Sequence, residues 1–331
     1  MGSRNDENKL ITVFGGSGFV GRYVVRALAR RGYLVRVAVR RPEDAHFLQP
    51  FGGVGQIVSV QANLRDTASV ARAIEGAGGV VNAVGILFEH GLQEFDAIHH
   101  LGAKRVAEQT AMAGIKNFVH ISALGASNLS PAEYARTKAA GENAVRAAHS
   151  TAQILRPSVI FGEEDNFFNL FAAMARISPV LPLIGGGRTK FQPVYVADVA
   201  KAVVNRLEAN AQESRVYELG GPEIMSFRDI LELVLIATDR KRLLVPIPFV
   251  LARFKAWFLQ MWPWNPLLTV DQVRLLESDN VISGAAKTEG RILEGMGIAP
   301  ASPQAIVPGY LARFRPMGQF DAPSRLGNGA V

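Results

Sequence analysis

Tyr134 and Lys138 stand four residues apart, a spacing that places both side chains on one face of a helix. A phenol beside an ammonium can pass a proton to or from a carbonyl or alcohol oxygen, and the ammonium is expected to lower the phenol's pKa. The same ammonium can hold the ribose of a nicotinamide nucleotide. Such pairs are common on ordinary helices, so this one gains meaning from what precedes it. Gly15, Gly18 and Gly21 follow an apolar run at the spacing G-x-x-G-x-x-G. The first permits a tight turn, the second lets backbone approach a pyrophosphate, and the third lets a helix lie close to a strand. Arg40 and Arg41 end the next apolar run. A guanidinium there suits a 2′-phosphate where an NAD site carries a carboxylate, so NADP(H) is favoured and NAD(H) is the lesser alternative.

These groups need elements that bring them together. Residues 10–13, the glycines and then 22–30 read as strand, turn and helix, with the first-turn N–H groups and helix dipole aimed at phosphates. Further strands are predicted over 33–39, 56–64, 79–85 and 117–122, with helices over 69–75 and through His99, Val106 and Ala113. Five βα units predict an α/β fold: a Rossmann doubly wound parallel sheet with helices on both faces and a smaller discontinuous C-terminal lobe. Ser130, Pro131 and Glu133 predict a capping box, with the Tyr134 helix starting at Pro131. The expected organisation is a nucleotide-binding domain over 9–165 to which 191–221 returns, a partner or substrate lobe over 166–190 and 222–315, and tails at 1–8 and 316–331. In the lobe a helix is expected over 167–176, a loop over the cofactor cleft through Pro179, Pro182 and 185–187, and a helix capped by Ser226.

Composition narrows the function. The 331 residues contain no cysteine, which excludes disulfides, thiolate metal sites and Fe–S ligation, and the six histidines show no metal-ligand spacing. A net charge of +7 spread along the chain argues against nucleic acid and suits an acidic partner or lipid headgroups. Residues 1–8 are polar and contain acids, so they resemble neither a signal peptide nor an Arg-rich transit peptide, and no apolar run reaches the length expected of a bilayer span. Residues 243–268 hold all three tryptophans, Trp257, Trp262 and Trp264, among apolar residues with Arg253 and Lys255 interspersed. That is the composition of a helix lying at a membrane interface or docking onto a partner.

The glycine motif, Asn82-Ala83-Val84-Gly85, Tyr134-x-x-x-Lys138, residues 155–162 (LRPSVIFG) and residues 193–200 (PVYVADVA) together resemble the extended and atypical short-chain dehydrogenase/reductases, over nearly the whole chain. Residues 162–169 (GEEDNFFN), 190–196 (KFQPVYV) and 264–273 (WNPLLTVDQV) resemble more narrowly the Rossmann-type accessory subunits of respiratory complex I, the NADH:ubiquinone oxidoreductase. This resemblance implies tightly held NADPH with a structural role in assembly and stability, and no turnover of its own. It also implies other complex I subunits as partners, docking near the quinone site, and a peripheral place on the cytoplasmic face of a bacterial inner membrane or the equivalent matrix face. The nucleotide contacts it implies are Gly15, Ser17, Gly18, Phe19, Val20, Gly21, Arg40, Arg41, Asn63, Leu64, Ala83, Val84, Gly85, Ile121, Ser122, Tyr134, Lys138, Pro157, Ser158 and Val159. One departure bears on catalysis. Active members carry a serine where this chain has Ala123, and Ser122, one place earlier, would face the other way. Tyr134 and Lys138 then read as vestigial or cofactor-holding. The alternative is a free NADPH-dependent reductase or epimerase acting on an isoprenoid, quinone-like or sugar-nucleotide substrate, with Tyr134 as proton donor.

Overall fold

The computed structural model describes residues 9–260 and 268–318. They form two compact units. The first comprises the described residues up to Ser158 with Val196–Gly220 and Ile282–Ala299, and the second comprises Val159–Tyr195, Gly221–Val281 and the described residues from Pro300. The segment Ile282–Ala299 joins the first unit, although the sequence reading leaves it in the smaller lobe.

The first unit is built on β1 (Leu10–Phe14), β2 (Leu34–Val39), β3 (Ile57–Gln61), β4 (Gly79–Asn82), β5 (Asn117–Ile121), β6 (Gln153–Pro157) and a last strand, Arg215–Leu219. All pair in parallel, in the order last strand, β6, β5, β4, β1, β2, β3. The chain therefore winds outward from β1 to β3, returns to β4 and winds the other way, which puts the switch point between β1 and β4. Ile11, Val13, Val37, Val80, Val81 and Val119 are buried, as a parallel sheet covered on both faces requires.

The covering helices are α1 (Phe19–Arg30), α2 (Thr67–Ile74), α3 (Ala103–Met112), α4 (Glu133–Ala148) and Val196–Leu207. Thr12 donates its hydroxyl to the Ala73 carbonyl at the end of α2, whereas a Cβ on Gly79 would meet Ile11 and Leu207. Adjacent strand residues point to opposite faces, so α2 and Val196–Leu207 lie on opposite sides of the sheet. On α1, Val24, Val25 and Leu28 are fully buried, each contributing about 1.5–3 kcal/mol of apolar transfer.

Helix α4 starts two residues later than the expected Pro131. Ser130 Oγ accepts the Ala132 N–H at 3.2 Å, Arg136 donates to the Ser130 and Pro131 carbonyls, and the helix starts at Glu133 with Ala132 extended before it.

In the second unit Phe161, Phe168, Leu181, Leu183, Phe191, Phe227 and Val234 share one core. Helix Phe168–Ile177 forms nearly where expected, and Ser226 caps Phe227–Ala237 in a reciprocal box with Asp229. The stretch expected as a loop through Pro179 and Pro182 contains a strand, Val180–Ile184, paired in parallel with Leu243–Ile247. Leu181 and Leu183 face the core on alternate positions, and a two-stranded ribbon has only edge strands, where proline is tolerated.

Asp165 ties this unit together. Its Oδ1 accepts the N–H groups of Phe167, Phe168 and Asn169, while Oδ2 accepts Gly162 N–H at 3.2 Å and the Tyr310 hydroxyl at 2.7 Å. Asp165→Asn keeps the first set and turns an amide NH₂ toward two donors. The expected loss is about 1–3 kcal/mol in denaturant unfolding of the full chain, and an unchanged midpoint would refute this role.

Helix Phe249–Leu259 packs Phe249 against its unit's core and buries Ala252 and Ala256, but leaves Val250, Phe254, Trp257 and Phe258 exposed. Residues 261–267, including Trp262, Trp264 and the start of the 264–273 motif, lie outside the described residues; Thr269 caps the short helix Val270–Leu275 that ends it. Among the described residues, no helix is long and apolar enough to cross a membrane.

Candidate functional site

Strand register assembles the site. Val216, Ile154, His120, Asn82, Phe14, Ala38 and Val60 form one row across the sheet. Gly15, Arg40, Asn63, Leu64, Ala83, Val84, Gly85, Ile121, Ser122, Pro157 and Ser158 all follow this row within a few residues. Parallel strands thus deliver them to the same carboxyl edge, where doubly wound sheets bind ligands. Val159, the last residue of the expected set, belongs to the second unit.

Gly15 takes φ 76° and donates its N–H to the Ala38 carbonyl at 3.1 Å, and Gly18 N–H closes the turn on the Gly15 carbonyl at 3.0 Å. A Cβ on Gly21 would stand 2.1 Å from that same carbonyl oxygen, so helix α1 can sit on its turn only through a glycine. No side chain caps α1 at Gly18, which leaves the first-turn amides, beginning at Phe19 and Val20, as donors for an anion. The Ser17 and Gly18 carbonyls accept the Arg22 guanidinium, which stacks over Phe47 at 4.8 Å.

At the end of β2 the two arginines differ. Arg41 is held by Asp44 at 2.9 Å. Arg40 is exposed and, among the described residues, makes no hydrogen bond or ion pair.

Lys138 is buried, with Nζ 3.3 Å from the Ile121 carbonyl, 5.9 Å from the Tyr134 ring centroid, and 3.2 Å from where a Cβ on Gly85 would stand. Burial pushes its ammonium down to about 8, while the Glu142 carboxylate pulls the other way. Glu142 is itself gripped by Arg156 through two bonds of 2.8 and 2.5 Å. Burial also raises the Tyr134 phenol to about 12, the reverse of the lowering expected from a nearby ammonium. Burial is the cause: the phenol's loss of water outweighs an ammonium that lies 5.9 Å from its ring centroid.

Among the described residues, two buried polar atoms beneath this edge have no partner: Ser122 Oγ and His120 Nε2. Asn82 Nδ2 donates to His120 Nδ1 at 3.2 Å, so His120 carries its hydrogen on the unpartnered Nε2. A glycine cradle that no Cβ could enter, free helix amides, an unpaired guanidinium and a buried hydroxyl awaiting a partner fit a dinucleotide. Bound there, a nicotinamide nucleotide would supply a hydride donor or acceptor. The chain's own groups would hold its phosphates and ribose, with Tyr134 beside them.

Residues 11–220 match the NAD dependent epimerase/dehydratase family. The chain belongs to this family. It is 35% identical to NADH dehydrogenase (ubiquinone) 1 alpha subcomplex subunit 9, mitochondrial, of Arabidopsis thaliana, over 86% of this chain and 74% of that protein. It is 31% identical to the mitochondrial NADH-ubiquinone oxidoreductase 40 kDa subunit of Neurospora crassa, over 94% of this chain and 81% of that protein. The crystal structure of gox2253 superimposes with a TM-score of 0.69 at 21% identity, over 95% of this chain and 100% of that one, and supports the fold. The resemblance to complex I accessory subunits read from the motifs is borne out by the two mitochondrial relatives, and family membership gives the nucleotide class, NAD(P).

Sequence reasoning missed the polar layer beneath the site: Asn82 with His120, His99 with Thr137, and Glu142 with Arg156. One signal was available. Asn82 and His120 are polar residues at the ends of two adjacent apolar strands, and polar side chains buried side by side in a parallel sheet must satisfy each other.

Proposed function

We propose that this chain is an accessory subunit of respiratory complex I that holds NADP(H) tightly for assembly and stability and turns over no substrate of its own. The observation that carries the reading is the 35% identity, sustained over 86% of the chain, to a subunit of NADH dehydrogenase. The intact glycine cradle supports retention of a nucleotide. Ala123 at the position of the family's serine, and a phenol raised to about 12, support a holding role for Tyr134 and Lys138.

In this reading Arg40 meets the 2′-phosphate, because Arg41 is already neutralised by Asp44. Arg40→Ala is expected to weaken NADPH binding about 10- to 100-fold and to leave NADH binding unchanged, the loss of a charge-assisted contact. Arg41→Ala should change NADPH binding by less than about 3-fold, within what an exposed ion pair is worth. Equal losses for NADPH and NADH in Arg40→Ala would refute the assignment.

The aromatic face of Phe249–Leu259, flanked by Arg253 and Lys255, supports docking of the 243–268 segment on the membrane surface and quinone-site region. The protein would then lie peripherally, on the cytoplasmic face of a bacterial inner membrane or the matrix face of a mitochondrial one. A native gel of mildly solubilised membranes tests the reading, with in-gel NADH dehydrogenase staining and acid-released nucleotide measured from the same band. Co-migration with the NADH-oxidising assembly and stoichiometric NADP(H) is the expected result. Migration as a small species that exchanges nucleotide freely would overturn it and favour the free reductase or epimerase.

A further inference from the structure

We infer that His99 is the positioning residue of this site, a neutral imidazole that ties the Gly85–Ile86 loop to the helix carrying Tyr134 and Lys138. As a statement about nucleotide binding this rests on the function proposed above; as a statement about the clamp it does not.

His99 lies in a π-helical turn, Asp96–Gly102, that runs into α3, and it is 1% exposed. Both ring nitrogens are engaged. Nε2 accepts the Ile86 N–H at 3.0 Å, which makes it the unprotonated nitrogen, so Nδ1 carries the hydrogen and donates to Thr137 Oγ1 at 3.2 Å. Thr137 in turn donates to the Glu133 carbonyl at 2.9 Å, one turn back along α4. The ring stacks on Phe95 at 5.4 Å and receives Tyr134 edge to face at 5.2 Å. Gly141 completes the seat, since a Cβ there would stand 2.0 Å from the His99 carbonyl oxygen. Burial, with the Lys138 ammonium adding to it, pushes the imidazole down to about 2, so it stays neutral and keeps this tautomer across the physiological range. One side chain thereby sets the gap between the loop after β4 and Lys138 Nζ, which lies 3.2 Å from the position of a Gly85 Cβ.

Two substitutions separate this role from packing. In His99→Gln the amide oxygen reaches the place of Nε2 and can still accept from Ile86, whereas in His99→Asn the shorter amide reaches only the place of Nδ1 and can serve only Thr137. Both lose the ring and its stack on Phe95, so both should lose thermal stability to a similar degree. Only His99→Asn should release the loop. In the nucleotide-free protein its Ile86 amide is expected to exchange at least about 10-fold faster than in His99→Gln, and its affinity for NADPH to fall about 10-fold further, the worth of one buried hydrogen bond. Thr137→Val, which keeps the shape and removes the other acceptor, should lower NADPH affinity by about 3- to 10-fold and guards against a histidine variant that fails to fold. Equal exchange rates and equal affinities in the Gln and Asn variants, tracking their common loss of stability, would overturn the inference. A wild-type protein that binds neither NADPH nor NADH would overturn the proposed function instead, and Ile86 exchange would still decide the clamp.

Discussion

Lys138→Met is expected to stabilise the nucleotide-free protein and to weaken its hold on the nucleotide, two effects of opposite sign from one substitution. Lys138 is 4% exposed, and burial brings its ammonium down to about 8 from the usual lysine value of 10.5. A base whose folded pKa is depressed is charged in the native state only at a cost. Between pH 8 and 10.5 the unfolded chain holds a proton that the native chain has released, so stability rises with pH across that window. Below pH 8 the charging cost is present in full. Met fills a similar volume with no charge to bury, so at pH 7 the variant should gain about 2 kcal/mol of unfolding free energy, a gain that fades by about pH 10. Glu142 does not become stranded, because Arg156 already holds both of its oxygens. The nucleotide meets the opposite consequence. In the function proposed above the ammonium at the Gly85 loop is the charged donor for a ribose hydroxyl, and its loss should raise the NADPH dissociation constant about 30-fold, the worth of a charge-assisted hydrogen bond. Denaturant titrations of wild type and variant at pH 7 and pH 10, with NADPH fluorescence titrations of both, read the two effects separately. A variant less stable at pH 7 would show that Lys138 earns its place by packing alone.

The contrast between what was and was not readable follows from the range of the interactions involved. The glycine turn, the strands and the parallel order are visible in the sequence because each depends on local steric rules: Gly15 needs a positive φ, Gly21 needs the absence of a Cβ, and a run such as residues 34–39 is apolar because both of its faces are covered. Arg40 and Arg41 were readable as a pair and inseparable, since what distinguishes them is Asp44, a partner supplied by the next turn. The phenol of Tyr134 was misjudged for a related reason. Spacing puts an ammonium near it, but the direction of the pKa shift is set by burial, which is not written in the spacing. Ser130 illustrates a boundary set at short range: its hydroxyl accepts the Ala132 N–H while Ala132 stays extended, so α4 begins at Glu133. Least legible were His99, His120 and Asn82, whose partners lie 13 to 38 residues away and meet only after the sheet has set its register.

Gly21→Ala should abolish nucleotide binding while leaving the rest of the first unit's sheet intact. The added Cβ would stand 2.1 Å from the Gly15 carbonyl oxygen and 2.7 Å from Gly16 Cα, and both are backbone atoms that no rotamer change can move aside. Relief requires α1 to back away from its own turn. Val24, Val25 and Leu28 resist, because they are fully buried on the same helix and sliding them out of the core forfeits apolar contact. The strain therefore divides between a destabilisation of about 1–3 kcal/mol, the usual consequence of overpacking, and a displaced Gly15–Gly18 turn. The second share decides function. A pyrophosphate is held by amides aimed within a few tenths of an ångström, and the turn that aims them is pinned by Gly15 N–H on Ala38 and Gly18 N–H on Gly15. We expect at least about a 100-fold loss of affinity, or about 2.7 kcal/mol, for NADPH and NADH alike, since the pyrophosphate is common to both. That equal loss is the signature that separates this cradle from Arg40, where NADPH alone should suffer. Titration of both nucleotides against Gly21→Ala, with circular dichroism to verify the fold, makes the comparison, and retention of either nucleotide at near wild-type affinity would remove the glycine turn from the site.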